Sequence, residues 1–143
     1  MTAAGVVLRE TFVSMAVNTV ISIGFFLAVF GLGKPVPVAA LGPDFLPQCF
    51  MVALMGCLIP AAILRRKAGA AIRDVVLRAF AIAAVALVVA GGGAWALTAA
   101  IGPVPIAAGA ALAIKALFGA LLAAATTPIA VRAALSPQTG YSA

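Results

Sequence analysis

The sequence has 143 residues, of which 66% are apolar and only 8% are Asp, Glu, Lys or Arg. A soluble domain carries roughly a quarter charged residues, so this chain cannot cover its apolar surface in water and must use lipid as its solvent. The net charge of +6 comes from a few basic residues that lie between apolar blocks without interleaved aromatic residues. This charge therefore indicates membrane orientation rather than nucleic-acid binding.

Four apolar runs are each long enough to cross the bilayer as a helix, which takes about 20 residues. They are residues 11–31, 45–64, 80–101 and 106–131. The first run is too long for the core of a cleavable signal peptide, so we expect it to remain as a helix. The sequence predicts an all-α membrane protein: a single transmembrane domain with four transmembrane helices.

The basic residues favour one orientation in the membrane. Arg9, the basic cluster within residues 65–78, and Arg132 lie on one side of a four-span topology and include seven of the nine basic residues. Lys34 lies in a loop on the other side, whereas a three-span topology would place the charges on both faces. By the positive-inside rule, both termini are predicted to be cytoplasmic.

An internal repeat divides the chain into two units of two spans each. The matches are residues 6–9 with 75–78 (both VVLR), residues 35–40 with 103–108 (PVPVAA and PVPIAA), Phe50 with Phe118, and Pro60 with Pro128. Chance similarity of apolar sequence is the alternative, but blocks in matching order favour a duplication. Two such units would run parallel, related by a pseudo-two-fold axis along the membrane normal.

Two polar side chains inside the predicted spans, those of Lys115 and Asn18, are candidates for a specific role. Lys115, the one charged residue there, is about 10 residues or 15 Å from the outer turn, a costly position for a cation. It either contacts an anionic substrate or an acidic group of a partner, or is structural, pairing with Asp44 or snorkelling to the outer interface. Asn18, in the first span, is expected to hydrogen-bond across helices.

The segment Gly42-Pro43-Asp44-Phe45-Leu46-Pro47 resembles the start of a helix. Proline is tolerated in a first turn, where N–H groups have no intrahelical partner, and Asp44 is predicted to cap that terminus. Gly56 would let a neighbouring helix approach closely.

Pro60 and Pro128 interrupt the second and fourth spans. Each leaves a backbone carbonyl without its intrahelical donor. Thr126 and Thr127, just before Pro128, are predicted to satisfy the groups that it frees.

The composition argues against an enzyme or a metal protein. Histidine is absent, and Cys49 and Cys57 fall within one apolar run, where we expect them to be reduced and buried. Met51 and Met55 beside them favour packing over copper binding, because no histidine or acidic ligand accompanies them. We therefore predict no catalytic residues, no metal and no cofactor.

One pattern resembles a known family, the small membrane subunit (TctB type) of the tripartite tricarboxylate transporters. That subunit has a Gly-Pro-Gly-Phe-Phe-Pro-like motif before its second span, which ends in basic residues. The residues that match are Gly42, Pro43, Phe45, Pro47, Gly56, Arg65 and Arg66. Asp44, Leu46 and Gln48 depart from it, standing where the family usually has a small residue, Phe and Arg. The resemblance covers residues 11–67, and beyond them only the general hydropathy fits.

The resemblance implies an accessory role in a bacterial inner membrane. A large many-helix membrane subunit carries the transport pathway in that family, a periplasmic solute-binding protein delivers the carboxylate, and an ion gradient drives uptake. Substrate or partner contacts would then fall to Lys115, Asp44, Gln48 and Asn18. Two other hypotheses remain open: a stand-alone homo-oligomeric channel or transporter around Lys115, and a structural assembly factor.

Overall fold

The structure, a computed structural model, describes residues 2–67 and 72–135, without the side chains of residues 65–67. It contains four long helices: α1 (Ala3–Val29), α2 (Val38–Lys67), α3 (Arg73–Ile101) and α4 (Ala108–Leu135). All four are long and apolar enough to cross a membrane. The all-α fold class is therefore confirmed, and the chain is a multi-pass membrane protein.

The second helix begins seven residues before the predicted start at residue 45. Two short strands, β1 (Val36–Pro37) and β2 (Pro105–Ile106), pair antiparallel at one end of the bundle. The N–H of Val38 donates to the Val104 carbonyl (2.9 Å) and that of Ala39 to the Gly102 carbonyl (3.2 Å). These bonds satisfy N–H groups that a helix start leaves free, so α2 can begin here without a side-chain cap.

The segment 42–47 consequently lies inside α2 rather than ahead of it. Asp44 is beyond the first turn, and its carboxylate pairs with Lys115 instead of the helix N–H groups. The prediction that Asp44 caps the helix is therefore wrong. Pro43, Pro47 and Pro60 are all accommodated within the helix.

The third helix contains one irregular turn. Residues 87–91 form a π-helical turn between the regular segments Arg73–Ala86 and Gly92–Ile101. A Cβ added at Gly91 would lie 3.3 Å from both Cys49 Sγ and Leu46 Cδ2 of α2. Gly91 therefore provides a close helix contact at the same place where the α-helical geometry is interrupted.

Helices α2 and α4 run parallel at the centre of the bundle. Both start at the strand end, where Asp44 meets Lys115, and they meet again further along, where Cys57 Sγ donates to the Thr126 carbonyl (3.6 Å). Helix α1 packs mainly on α4, and α3 mainly on α2, while the two helices within each unit, α1 with α2 and α3 with α4, share little contact. Each two-helix unit therefore interlocks with the other.

The burial pattern repeats between the two central helices. Every buried position of α4 lies seventy residues after a buried position of α2, as Gly119 follows Cys49 and Thr127 follows Cys57. This offset is two residues longer than that between residues 35–40 and 103–108 in the sequence repeat. At the strands, Pro37 pairs with Pro105, its equivalent in the sequence repeat. A residue that faces its own repeat partner lies on a two-fold axis, so the structure has the parallel two-unit arrangement that the repeat predicts.

The described charges divide between the two ends of the bundle. Arg9, Arg73, Arg78 and Arg132 lie toward the end opposite the strands, and Lys34 lies at the strand end. The other basic residues of the cluster, 65–67, end α2, and their side chains lie outside the part of the chain that the structure describes. The cytoplasmic placement of the termini stays a prediction from the charge pattern.

Interlocking predicts that the two units assemble as separate chains. Residues 1–67 and 72–143, expressed together, should co-purify, because α1 buries Ser14, Asn18, Ser22 and Phe26 largely against the other unit. Each unit expressed alone should aggregate or be degraded. Tandem affinity purification from detergent checks this; two units that are each stable as monomers would contradict the interlocked arrangement.

Candidate functional site

Lys115 is buried in the bundle with only 1% of its surface exposed. Its ammonium forms an ion pair with the Asp44 carboxylate of α2. Its Nζ also lies 5.3 Å from the centroid of the Phe45 ring and 5.9 Å from that of Phe25. Of the alternatives that the sequence left open, the structure has the pairing with Asp44, with the lysine side chain covered by the bundle.

The helix arrangement brings these two charges together. Asp44 and Lys115 lie near the start of two parallel helices that begin at the same end of the bundle. A single charge is expensive in a bilayer, but an opposite charge and two ring faces offset part of the cost. The two charges therefore cancel each other, and each charged group already has its partner inside the bundle.

Gln48, one turn beyond Asp44, connects three helices. Its Nε2 donates to Ser22 Oγ of α1 (2.8 Å) and to the Lys115 carbonyl of α4 (3.1 Å). Gly119 makes this approach possible, because a Cβ there would lie 2.7 Å from Ser22 Oγ and 3.1 Å from Gln48 Nε2. Gln48 Oε1 is buried and has no hydrogen-bond partner among the described residues.

Asn18 bonds within its own helix, so the expected bond across helices is wrong. Its Nδ2 donates to the Ser14 carbonyl (2.8 Å) and to Ser14 Oγ (3.2 Å). The crossing bond is instead made by Thr127 Oγ1 of α4, which donates to Ser14 Oγ (2.9 Å). A Cβ at Gly56 would lie 3.0 Å from Ser14 Oγ and 3.1 Å from Thr127 Oγ1, so the predicted close approach at Gly56 is confirmed.

The two threonines before Pro128 do not serve the role expected of them. A proline leaves free the carbonyl four residues earlier, here that of Ala124. Thr126 Oγ1 donates to the Leu122 carbonyl (2.9 Å), and Thr127 donates to Ser14. The prediction that these hydroxyls satisfy the freed carbonyl is therefore wrong. One hydroxyl donates to a different carbonyl of α4, and the other donates to α1.

These groups form one line of polar side chains, which we call the polar seam: Ser14, Asn18, Ser22, Asp44, Gln48, Lys115 and Thr127. The three members in α1 are four residues apart and share one helix face. The VVLR match aligns them with Ala83, Leu87 and Gly91 of α3. The seam therefore lies on one side of the pseudo-two-fold axis and has no polar counterpart at these α3 positions.

Sequence reasoning found four members of the seam but missed Ser14, Ser22 and the role of Thr127. Their four-residue spacing in α1 was an available signal. Small hydroxyls in an apolar run commonly bond their own backbone, as Thr11 does to the Val7 carbonyl (2.8 Å), so the spacing alone does not separate the two cases.

A groove opens between α1 and α2 because these two helices diverge, while each packs against α4. It encloses about 300 Å³. Its mouth is apolar and partly exposed, formed by Ile21, Phe25, Met51 and Met55. Asn18, Ser22, Gln48 and Lys115 form its floor, so the seam is reached from the bilayer at this point.

The motif residues of the second helix make close packing contacts. A Cβ at Gly42 would lie 2.5 Å from Trp95 Cδ1 and 2.6 Å from Thr98 Oγ1, and Phe45 is buried with its ring 4.6 Å from that of Phe118 in an edge-on arrangement. Pro43 and Pro47 are exposed on the outside of α2.

Comparison with known proteins gave no match to any family model, curated protein or solved structure. Within residues 2–67 and 72–135, no three His, Cys, Asp or Glu residues lie close enough together to hold a metal ion. Cys49 and Cys57 are free thiols and buried, as expected.

Breaking the ion pair should cost more than removing it. Lys115→Met leaves Asp44 as a buried unpaired charge and should destabilise the protein by about 3–5 kcal/mol. The double variant Lys115→Met/Asp44→Leu should recover most of that loss, because both charges are gone. Unfolding in mixed detergent micelles measures the difference; equal stability of the two variants would contradict a buried pair.

Close approach at Gly119 can be tested by adding one methyl group. Gly119→Ala should displace Ser22 from Gln48 and destabilise the bundle by about 1–3 kcal/mol. Gly24→Ala is the matched control: its Cβ would meet nothing within 4 Å, so the change should stay within about 0.5 kcal/mol of wild type. A Gly119→Ala protein as stable as Gly24→Ala would argue against the contact.

Proposed function

We propose that this protein is the small accessory membrane subunit of a secondary tripartite carboxylate transporter in a bacterial inner membrane. It would accompany a large many-helix subunit that carries the transport pathway and a periplasmic protein that captures the carboxylate. The proposal takes its transporter class from the pattern of residues 42–67 and its accessory role from the state of Lys115.

The observation that carries the accessory role is the closed ion pair. A carboxylate crossing this chain alone would need a cation able to leave its partner and a polar path through the bilayer. Lys115 is 1% exposed and paired with Asp44. The amides of Asn18 and Gln48 and the hydroxyl of Thr127 donate to other groups of the bundle. These contacts favour a subunit that supports a pathway elsewhere over a stand-alone channel.

The positions of the motif residues support the same interpretation. Gly42, Phe45 and Gly56 pack against α3, α4 and α1, and none of the three presents a hydrogen-bonding side chain. A motif of this kind shapes the subunit rather than contacting a solute. Its partner dependence would then arise from the shape of the assembled bundle.

The outer surface of the bundle is also suited to partners within the bilayer. Large apolar side chains remain more than half exposed along α1 and α3, among them Phe12, Val20, Val88 and Leu97. In the membrane such side chains contact lipid or another helix at little cost. A large subunit could cover part of this surface without any polar group losing water.

Co-expression with its genomic neighbours tests the function. The neighbouring genes should encode a many-span membrane protein and a secreted binding protein, and the tagged chain should retain the former through detergent purification. Deleting this chain should abolish uptake of radiolabelled di- and tricarboxylates, and a plasmid copy should restore it. Unchanged uptake in the deletion strain would refute the proposal.

Reconstitution of the purified chain tests the rival hypothesis of a stand-alone channel or transporter. The protein alone in proteoliposomes should show no carboxylate flux above empty vesicles. Flux that disappears in Lys115→Ala would instead favour a stand-alone channel around that residue.

A further inference from the structure

The floor of the groove holds two carboxamide oxygens without donors. Asn18 is 4% exposed, and Gln48 Oε1 is fully covered. Both amide nitrogens face backbone carbonyls, those of Ser14 and Lys115, which can only accept. This fixes each oxygen on the other side of its amide, and no described residue donates to either one.

An unpaired acceptor is expensive in hydrocarbon, where water cannot replace the missing donor. An acyl chain could fill about 300 Å³ but has nothing to donate. A bare cation would bind the oxygens but would face the ammonium of Lys115 on the same floor. A neighbouring transmembrane helix that carries a Ser, Thr, Asn or Gln side chain meets both requirements.

The groove mouth suits such a helix. Met51 is 49% exposed and Met55 37%. Their unbranched side chains can rearrange around a partner surface that is not known in advance. In the sequence repeat, where Phe50 matches Phe118, Ala116 stands in α4 at the position of Gln48 in α2, so the other unit offers no equivalent acceptor there.

We infer that the groove between α1 and α2 is the intramembrane docking site for a transmembrane helix of the large subunit. A hydroxyl or amide on that helix donates to Asn18 Oδ1, on the floor of the groove. This inference rests on the proposed function, since it names the surface through which the accessory subunit would bind its partner.

Site-specific photo-crosslinking in the assembled complex tests the site. A photoreactive phenylalanine analogue replaces Met51 at the groove mouth or, as the matched control, Trp95 on α3, which is equally exposed at 49%. Met51 should crosslink to the large subunit at least about tenfold more efficiently than Trp95, the ratio expected when one position lies in an interface and the other faces lipid.

A variant series tests the hydrogen bond separately. Asn18→Leu should reduce the large subunit retained during purification by about tenfold, as for the loss of one intramembrane hydrogen bond. Thr98→Val is the control, because Thr98 is also buried but bonds to carbonyls of its own helix away from the groove. Helicity and thermal unfolding of each variant alone identify any loss that comes from misfolding.

The outcomes distinguish this inference from the proposed function. A complex that forms but crosslinks equally or better through Trp95 overturns the docking site and leaves the function standing. Crosslinks from Met51 only to lipid or to a second copy of this chain have the same meaning. A wild-type chain that retains no large subunit overturns both.

Discussion

The ion pair between Lys115 and Asp44 fixes how the two halves of the chain meet. It joins the second helix of one unit to the second helix of the other. In the bilayer there is no water to solvate either charge if the pair separates. A slip of one helical turn, about 5.4 Å, would separate the charges, so a single register of α2 against α4 is strongly preferred. The strand pair at Pro37 and Pro105 sets the same register from the end of the bundle.

Around this pair, the duplicated framework has become chemically unequal. In α1 the face toward the centre carries Ser14, Asn18 and Ser22, whereas the matching positions of α3 carry alanine, leucine and glycine. One side is therefore held by hydrogen bonds that cross between helices. The other relies on close apolar packing at Gly91 and a π-helical turn. Function in a duplicated fold is expected where the copies differ, and here they differ along the seam.

The sequence predicted what depends on local composition and missed what depends on distant contacts. Four spans, the repeat and the Lys115–Asp44 alternative were readable because long apolar runs and isolated charges are visible along the chain. The start of α2 was not, because Gly and Pro signal a turn locally, while the carbonyls that satisfy Val38 and Ala39 come from residues 104 and 102. The partner of Ser14 was hidden for the same reason, since Thr127 lies more than a hundred residues away.

The interlocked topology also explains why a groove exists at all. Because the first helix of each unit packs on the second helix of the other unit, the two helices within a unit are held apart, and a cleft opens between them. The same reasoning predicts a second cleft between α3 and α4, and a cavity of about 210 Å³ lies there over Cys57 and Ala61 of α2. Alanines dominate its lining, including Ala79, Ala130 and Ala133, and Arg78 also lines it. Its apolar part suits an acyl chain of a lipid. The groove over the polar seam differs because its floor holds carbonyl oxygens that lack hydrogen-bond donors. It therefore favours a neighbouring helix that carries a donor side chain.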